Sequence, residues 1–511
     1  TTNRIVFESE SGDSTKAVLS YQQSNSVLDY ALLVNGGQYI SFRKLGFRRH
    51  YNGYMIRVDN SQDVNFIGCY FDGSYSDSGI LIAASSTIGI VNSRIWRTGI
   101  ILSSHSGVYT GSKDITVSGN VIEGAGYSYS YAVRVDGYYG GVHNLSIESN
   151  RITGSRIRVD RGLVNSKIVS NSINSSININ NDYYYNRNGN YGRDYSPGSI
   201  ISKNTITASS QTGSAIAVSG NGLLEVSGNK ISGVTNAEGI SLSSVQSTLV
   251  SNNFVQTQGL GTTYGISLSN SSNVKLVFNS VHTTGTDLGQ ARAFYSGAGN
   301  SNLTVKNNIF ANSGGGYAAV FEAAPSGTSD IDYNNYHSSG GKLGNYAGTD
   351  YTSLSAWGQA VRGDANSKAV NPFFKSNTEL SINHIALNNS GTSISGITKD
   401  VDETTRDANK PDIGAKEYTP AVVDAGLDAF VSPTNPLTGT SVPVKVLLRN
   451  QGLSPLTSAS ILWTVNDVAQ APYSWSGNLA SGASDEVVLK TYSFTGAPIF
   501  NIQAWTSSPN S

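Results

Sequence analysis

Apolar residues recur along the first four hundred positions in two short templates. The first reads apolar-x-x-Asn-x-apolar, as in "VSGNVI", "IESNRI", "IVSNSI", "ISKNTI", "VSGNKI", "VSNNFV", "LVFNSV", "VKNNIF" and "IDYNNY". These copies place Asn120, Asn150, Asn171, Asn204, Asn229, Asn253, Asn279, Asn308 and Asn334 at one phase. Three earlier copies keep the apolar pair but carry Leu45, Cys69 and Ser93 in place of the asparagine, and successive copies lie 21 to 33 residues apart. A second template, as in "YALLVNG", "YAVRVDG", "SAIAVSG" and "GISLSS", follows by roughly a dozen residues. Each copy alternates with period two, which suits a short strand with one buried face. Such a strand cannot bury that face alone, so neighbouring coils must stack and share a core. The spacing is too long for hexapeptide coils, and the helical 3.6-residue period is missing. The pattern therefore predicts an all-β chain whose first part is a right-handed parallel β-helix with an internal asparagine ladder. In such a ladder each buried amide bonds the next, so none is left unpaired. Leu45, Cys69 and Ser93 should open the same column, which makes Cys69 a buried thiol rather than a reactive one.

Two consecutive copies of the second template carry the same pair of charges. Arg134 and Asp136 in "YAVRVDG" recur as Arg158 and Asp160 in "RIRVDRG", 24 residues later, which is one coil. Residues i and i+2 of a strand share a face. The four should form a two-by-two array outside the coil, arginine over arginine and aspartate over aspartate, with rungs about 4.8 Å apart. Asn178 and Asn180 should continue it, and Arg57 and Asp59 should sit on the same face three coils earlier. Elsewhere the equivalent positions are small: Ala217, Ser219, Ser241, Ser243, Ser267 and Ser269. Ten of the 28 tyrosines crowd around the charged copies. They are Tyr127, Tyr129, Tyr131, Tyr138 and Tyr139, then Tyr183, Tyr184, Tyr185, Tyr191 and Tyr195 in an insertion that also holds Arg187, Arg193 and Asp194. A tyrosine offers a flat apolar face and a hydroxyl, which suits a sugar ring or a protein partner. The ligand-binding candidates are thus Tyr131, Arg134, Asp136, Tyr138, Tyr139, Arg158, Asp160, Asn178, Asn180, Tyr183, Tyr184 and Tyr185. The plainer reading is a solvated charge ladder that pairs along the strand.

The coil pattern over about residues 1–418 resembles the right-handed parallel β-helix superfamily of pectate lyases and polygalacturonases. The paired Asp-Asp and the Gly-His-Gly of that superfamily's hydrolases are missing here. A glycosidase needs two carboxyls about 5–10 Å apart with one kept protonated. Asp136 and Asp160 could meet the distance, but an arginine beside each favours the ionised form. The superfamily's lyases typically bind calcium through several carboxylates and use a basic residue. Carboxylates are few around this patch, and an arginine base works against a pKa above about 12. If the strip were catalytic, Arg134, Asp136, Arg158 and Asp160 would carry the reaction.

Residues 400–418, "DVDETTRDANKPDIGAKEY", resemble the closing segment of bacterial secreted β-helix proteins. Asp400, Asp402, Glu403 and Asp407 lack EF-hand spacing, so a turn-rich cap over the last coil (about 340–418) is expected there rather than a cation site. No cofactor and no metal are expected; calcium is the one ion weighed. From 419 to 511 the segments "VPVKVLLRNQG", "SASILWTVND", "DEVVLKTYSF" and "IFNIQAWTSS" alternate between Gly, Pro and Ser breaks, which predicts a β-sandwich. With no cysteine pair it is not an antibody-type domain, and it resembles CARDB-like immunoglobulin-fold adhesion modules, which usually occur in tandem.

Composition narrows the classes further. The chain has 511 residues, 14% of them charged, a net charge of −1 and a single cysteine. That excludes an internal disulfide and gives no basic footprint for nucleic acid. No apolar run reaches bilayer length, so no membrane insertion is expected. The opening "NRIVFESESGDST" is already strand-like, which suggests a mature chain or a fragment of a longer one. With "YALLVNGGQYISFRKLGF" it also resembles the β-helix of very large surface proteins of gliding, biofilm-forming Bacteroidetes-type bacteria, many exported by the type IX route. That resemblance implies secretion and display on the bacterial cell surface. Two functions follow as expectations: an adhesin or adhesin stalk that binds an extracellular glycan or surface polymer through the strip, or a polysaccharide lyase or glycoside hydrolase using it as a cleft. A purely structural spacer is the third, and further modules of the same long chain are the other expected partners.

Overall fold

The structure, a computed structural model, describes residues 3–21, 30–49, 54–73, 79–103, 111–124, 131–137, 141–182, 184–185, 191–192, 198–208, 213–220, 222, 224–434, 437, 439–496 and 499–511. Three long parallel sheets run side by side, with 15, 13 and 14 strands among the described residues. Each coil gives one strand to each sheet, as Leu224–Ser227, Lys230–Thr235 and Glu238–Ser243 do in turn. Along the solenoid, strands pair in parallel with those one coil away. Among the described residues, sequence neighbours there pair only in short antiparallel hairpins, such as Gly344–Tyr346 with Thr349–Tyr351 at the end of the third sheet. This is a β-solenoid, and the expected parallel β-helix is what the chain forms.

The alternation seen in the sequence sets the register. In the second sheet, Ile122, Ile152, Ile173, Ile206 and Ile231 lie opposite one another on successive rungs, and all are buried. Between the first and second sheets the nine asparagines form one continuous ladder. Each side-chain Nδ2 donates to the Oδ1 of the next at 2.9–3.1 Å. The backbone N–H of each donates to the same oxygen at 2.9–3.1 Å. Each amide also reaches back to a carbonyl of the preceding coil, as Asn171 Nδ2 does to Ile147 O at 2.9 Å. The column begins as the sequence indicates: Cys69 N–H donates to Ser93 Oγ, and Ser93 N–H to Asn120 Oδ1. Burial pushes the Cys69 thiol up to about 11, which keeps it an unreactive thiol at neutral pH.

A tight turn places every ladder asparagine, and the residue before it pays in backbone conformation. Gly119, Ser149, Ser170, Lys203, Gly228, Asn252, Phe278, Asn307 and Tyr333 all have φ between 55° and 65°. For a side chain as large as Phe278 or Tyr333 this left-handed conformation costs about 1–2 kcal/mol. The amide network that follows offsets it.

The helix Leu354–Val361 covers the last coil. Its buried Trp357 packs on Phe321 and Tyr336 and donates its Nε1–H to Asp364. Asp364 Oδ1 also accepts from Asn334, the last ladder residue. Residues 370–418 do something other than cap that end. They run back along the outside of the second sheet as a strap, meeting Asn335 at Val370, Asn307 at Thr392, Asn252 at Lys399, Lys230 at Asp402 and Lys203 at Glu403. The strap then doubles back, so that Ala415 meets Ser280. The "DVDETTR" stretch therefore lies against the side wall, several coils from the end it was expected to cover. The reason is outward apolar surface. Ile309 and Ala311 are covered by Ile382, Leu387 and Ile413, and Phe254 by Leu380, Val401 and Ala415.

Beyond the strap, 3-stranded and 4-stranded antiparallel sheets pack over a shared core of Val446, Leu448, Ile461, Trp475 and Val487. This β-sandwich meets the strap where Ile385 N–H donates to Gln451 Oε1 at 2.9 Å and His384 Nε2 lies 3.7 Å from Asp428. Among the described residues no helix is long and apolar enough to cross a membrane.

Candidate functional site

The strands Tyr131–Asp136 and Arg156–Arg161 are neighbours in the third sheet. Val133, Val135, Ile157 and Val159 face the core, which turns Arg134 and Arg158 outward, one above the other. The aspartates do not stack as expected. A bulge after Val159 sets Arg161, not Asp160, opposite Asp136. An extra residue on one strand bends it and re-aims its side chains. Here Asp160 moves between the two guanidiniums. It accepts from Arg134 Nε at 2.7 Å and from Arg158 Nε. Asp136 is left in looser pairs, 4.0 Å from Arg134 Nη2 and 3.9 Å from Arg161 Nε.

The bulge decides the electrostatics. Burial pushes the Asp160 carboxyl up, but the hydrogen bonds and charges of Arg134 and Arg158 outweigh it and hold it below the usual carboxylate range. Arg134 is pushed down by burial and raised on balance by Asp160. An aspartate held ionised in this way cannot serve as a general acid near neutral pH.

Tyr131 completes the cluster. Its ring lies 5.6, 5.4 and 5.7 Å from the guanidinium carbons of Arg134, Arg156 and Arg158, and its hydroxyl accepts from Arg158 Nη1 at 3.3 Å. Asn178 lies beside Arg158 as expected. Asn180 is displaced from Asp160 by the bulge, and its Oδ1 accepts from Ser219 of the following coil at 2.9 Å. Tyr138, Tyr139 and Tyr183 lie outside the described residues, and so do the side chains of Tyr184 and Tyr185.

Two related clusters lie on the same sheet. Arg57 and Asp59 of the first were expected on this face, but their partner Tyr30 and the whole of the second cluster escaped the sequence reading. Tyr30 stands to Arg57 and Asp59 as Tyr131 stands to Arg158 and Asp160, with the same offsets of 27 and 29 residues. Arg57 donates through Nη1 to the Tyr30 hydroxyl at 2.9 Å and through Nε to Asp59. Farther along, Tyr264 stacks on Tyr295 with centroids 4.8 Å apart, and Arg292 lies over both rings. The signal was a tyrosine two positions before the first inward apolar residue, as in "DYALL", "SYAVR" and "TYGIS". Among the described residues, no group of three or more His, Cys, Asp or Glu is placed to hold a metal ion.

No family model matches this chain, and no curated protein matches it. Among solved structures it is similar to the A-module of the Azotobacter vinelandii mannuronan C-5 epimerase AlgE6, at 11% identity and a TM-score of 0.40 over 66% of this chain and 91% of that one. It is also similar to a tailspike protein double mutant of E. coli bacteriophage HK620 in complex with a pentasaccharide, at 11% identity and a TM-score of 0.36 over 96% and 84% of the two chains. A double mutant of the periplasmic alginate epimerase AlgG gives 15% identity and a TM-score of 0.25 over 60% and 75%. At these values the likenesses assign no residue of this chain a role.

Proposed function

We propose that the outward face of the third sheet binds an extracellular glycan or surface polymer, and that the chain is an adhesin or adhesin-stalk segment displayed on a bacterial surface. The observation that carries this reading is the clamping of Asp160 between Arg134 and Arg158, with the Tyr131 ring beside both guanidiniums. Such an array is rigid, with its charges paired, and it presents a flat ring with fixed donors. Those properties favour recognition over proton transfer. In this reading the C-terminal sandwich is a CARDB-like immunoglobulin-fold module that joins the β-helix to further modules of a longer chain.

The test is binding of the whole chain to a panel of neutral and acidic polysaccharides, with product formation followed in the same samples. Tyr131→Ala and Arg158→Ala should each weaken binding to the best polymer about tenfold, the range for losing a charged hydrogen bond or an aromatic contact. No new reducing ends or unsaturated products should form. Product formation that disappears in Asp136→Ala and Asp160→Ala would replace this reading with a polysaccharide lyase or glycoside hydrolase that uses the same strip.

A further inference from the structure

A concave surface lies between the first sheet and the strap. Two connected clefts of about 300 Å³ and 380 Å³ share Leu249, Gly396 and Ile397. Their size reaches the range of small-molecule sites, about 300–1,000 Å³. The floor is the outward row of the first sheet, where Ile200, Glu225, Leu249 and Lys275 lie opposite one another on successive rungs. Leu249 is thus flanked by a carboxylate on one side and an ammonium on the other, the two about 10 Å apart at two rungs' spacing. Ile394 and Ile397 of the strap form the facing wall, and Ser227, Ser251 and Thr398 add hydroxyls.

That wall is fixed. Asp400 Oδ1 accepts the N–H groups of Asp402 and Thr404 at 2.8 Å each, and its Oδ2 accepts that of Glu417 at 3.0 Å. Lys203 and Glu403 pair across the mouth at 2.8 Å. The polar groups on the floor are not all engaged. Ser227 Oγ donates to one Glu225 oxygen, and Lys275, exposed, has no acidic partner among the described residues.

We propose that this cleft is a second binding site, for a single sugar ring or similar cyclic polyol that bears one carboxylate. The apolar face of the ring packs on Leu249 and Ile397, its hydroxyls meet Glu225 and the serines, and its carboxylate pairs with Lys275. A ring has the flat C–H face that Leu249 needs, and a carboxylate supplies the charge that Lys275 lacks. The site is independent of the third sheet and of any polymer bound there.

The test is titration of the full chain with glucuronate and, separately, glucose, followed by calorimetry or ligand-observed NMR. Glucuronate should bind saturably and more tightly than glucose. Lys275→Ala should weaken glucuronate about tenfold, as expected for loss of a charge-assisted hydrogen bond. Glu225→Gln should weaken both sugars, and Arg158→Ala on the third sheet should change neither. Lys275 is solvent-exposed, so an unaltered melting curve will show that its variant is folded. No saturable glucuronate binding, equal affinity for glucose, or glucuronate affinity unchanged by Lys275→Ala would overturn the proposal. Glucuronate binding lost in Arg158→Ala but kept in Lys275→Ala would also overturn it, by placing the ligand on the third sheet.

Discussion

Asp160 is partly buried and Asp412 fully buried, and their surroundings drive the two carboxylates in opposite directions. Asp160 is depressed because two arginines outweigh its burial. It contributes stability above the ordinary carboxylate range, and that contribution is lost as pH falls through its folded value. Asp160→Asn should therefore cost about 1 kcal/mol at neutral pH, discounted because both arginines are more than a third exposed, and it should flatten the acid limb of the stability profile. Asp412, in the strap, is pushed up to about 7 by burial, against the pull of the Asn389 and Tyr418 N–H groups. A raised carboxyl takes up a proton on folding, so its contribution is greatest below its unfolded value near 4 and declines as pH rises toward 7. Denaturation midpoints between pH 4 and 7 should show this decline, and Asp412→Asn should remove that part of it. At this scale the sequence showed the Arg–Asp repeat but not its partners. A 24-residue interval implies aspartate over aspartate, and the bulge after Val159 adds one residue that no local motif marks.

The ladder element was the most legible, because one residue type at one phase is a strong periodic signal. The turn that aims it was invisible. Positions 119, 149, 170, 203, 228, 252, 278, 307 and 333 hold Gly, Ser, Lys, Asn, Phe and Tyr, so the left-handed conformation has no compositional mark. The amide network overrides the preference of each residue. Asn171 shows what the ladder is worth. Its side chain accepts the N–H of Asn150 and the Asn150 amide, and it donates to Asn204 Oδ1 and Ile147 O. Asn171→Ala would strand several of these groups in the core, at about 1–3 kcal/mol for each one left unmet. The expected outcome is a loss of about 3 kcal/mol or more in urea denaturation. Ser93→Ala, at the start of the column, removes the acceptor of the Cys69 N–H and should cost about 1 kcal/mol.

The whole molecule joins parts whose association leaves no period in the chain. Lys230 and Asp402 are 172 residues apart, and the strap's contacts arise from scattered apolar residues such as Leu380, Leu387 and Ile413. Sequence reading could give the solenoid and the sandwich but not the path between them. The cores are separate: the β-helix cluster holds no sandwich residue. A chain ending at residue 418 should therefore keep its β-helix melting transition within a few degrees of that of the full chain. A chain ending at 369 bares Phe254 and Ile309 and should melt markedly lower by calorimetry. The central claim concerns the face these coils build together, where Tyr131, Arg134, Arg158 and Asp160 present one ordered surface. A crystal structure of the full chain, soaked with an oligosaccharide cut from its best-binding polymer, tests that claim most directly. The account predicts an intact oligosaccharide lying on the outward face of the third sheet against Tyr131 and Arg158. An oligosaccharide bound elsewhere with that face bare, or one cleaved beside Asp136 and Asp160, would contradict it.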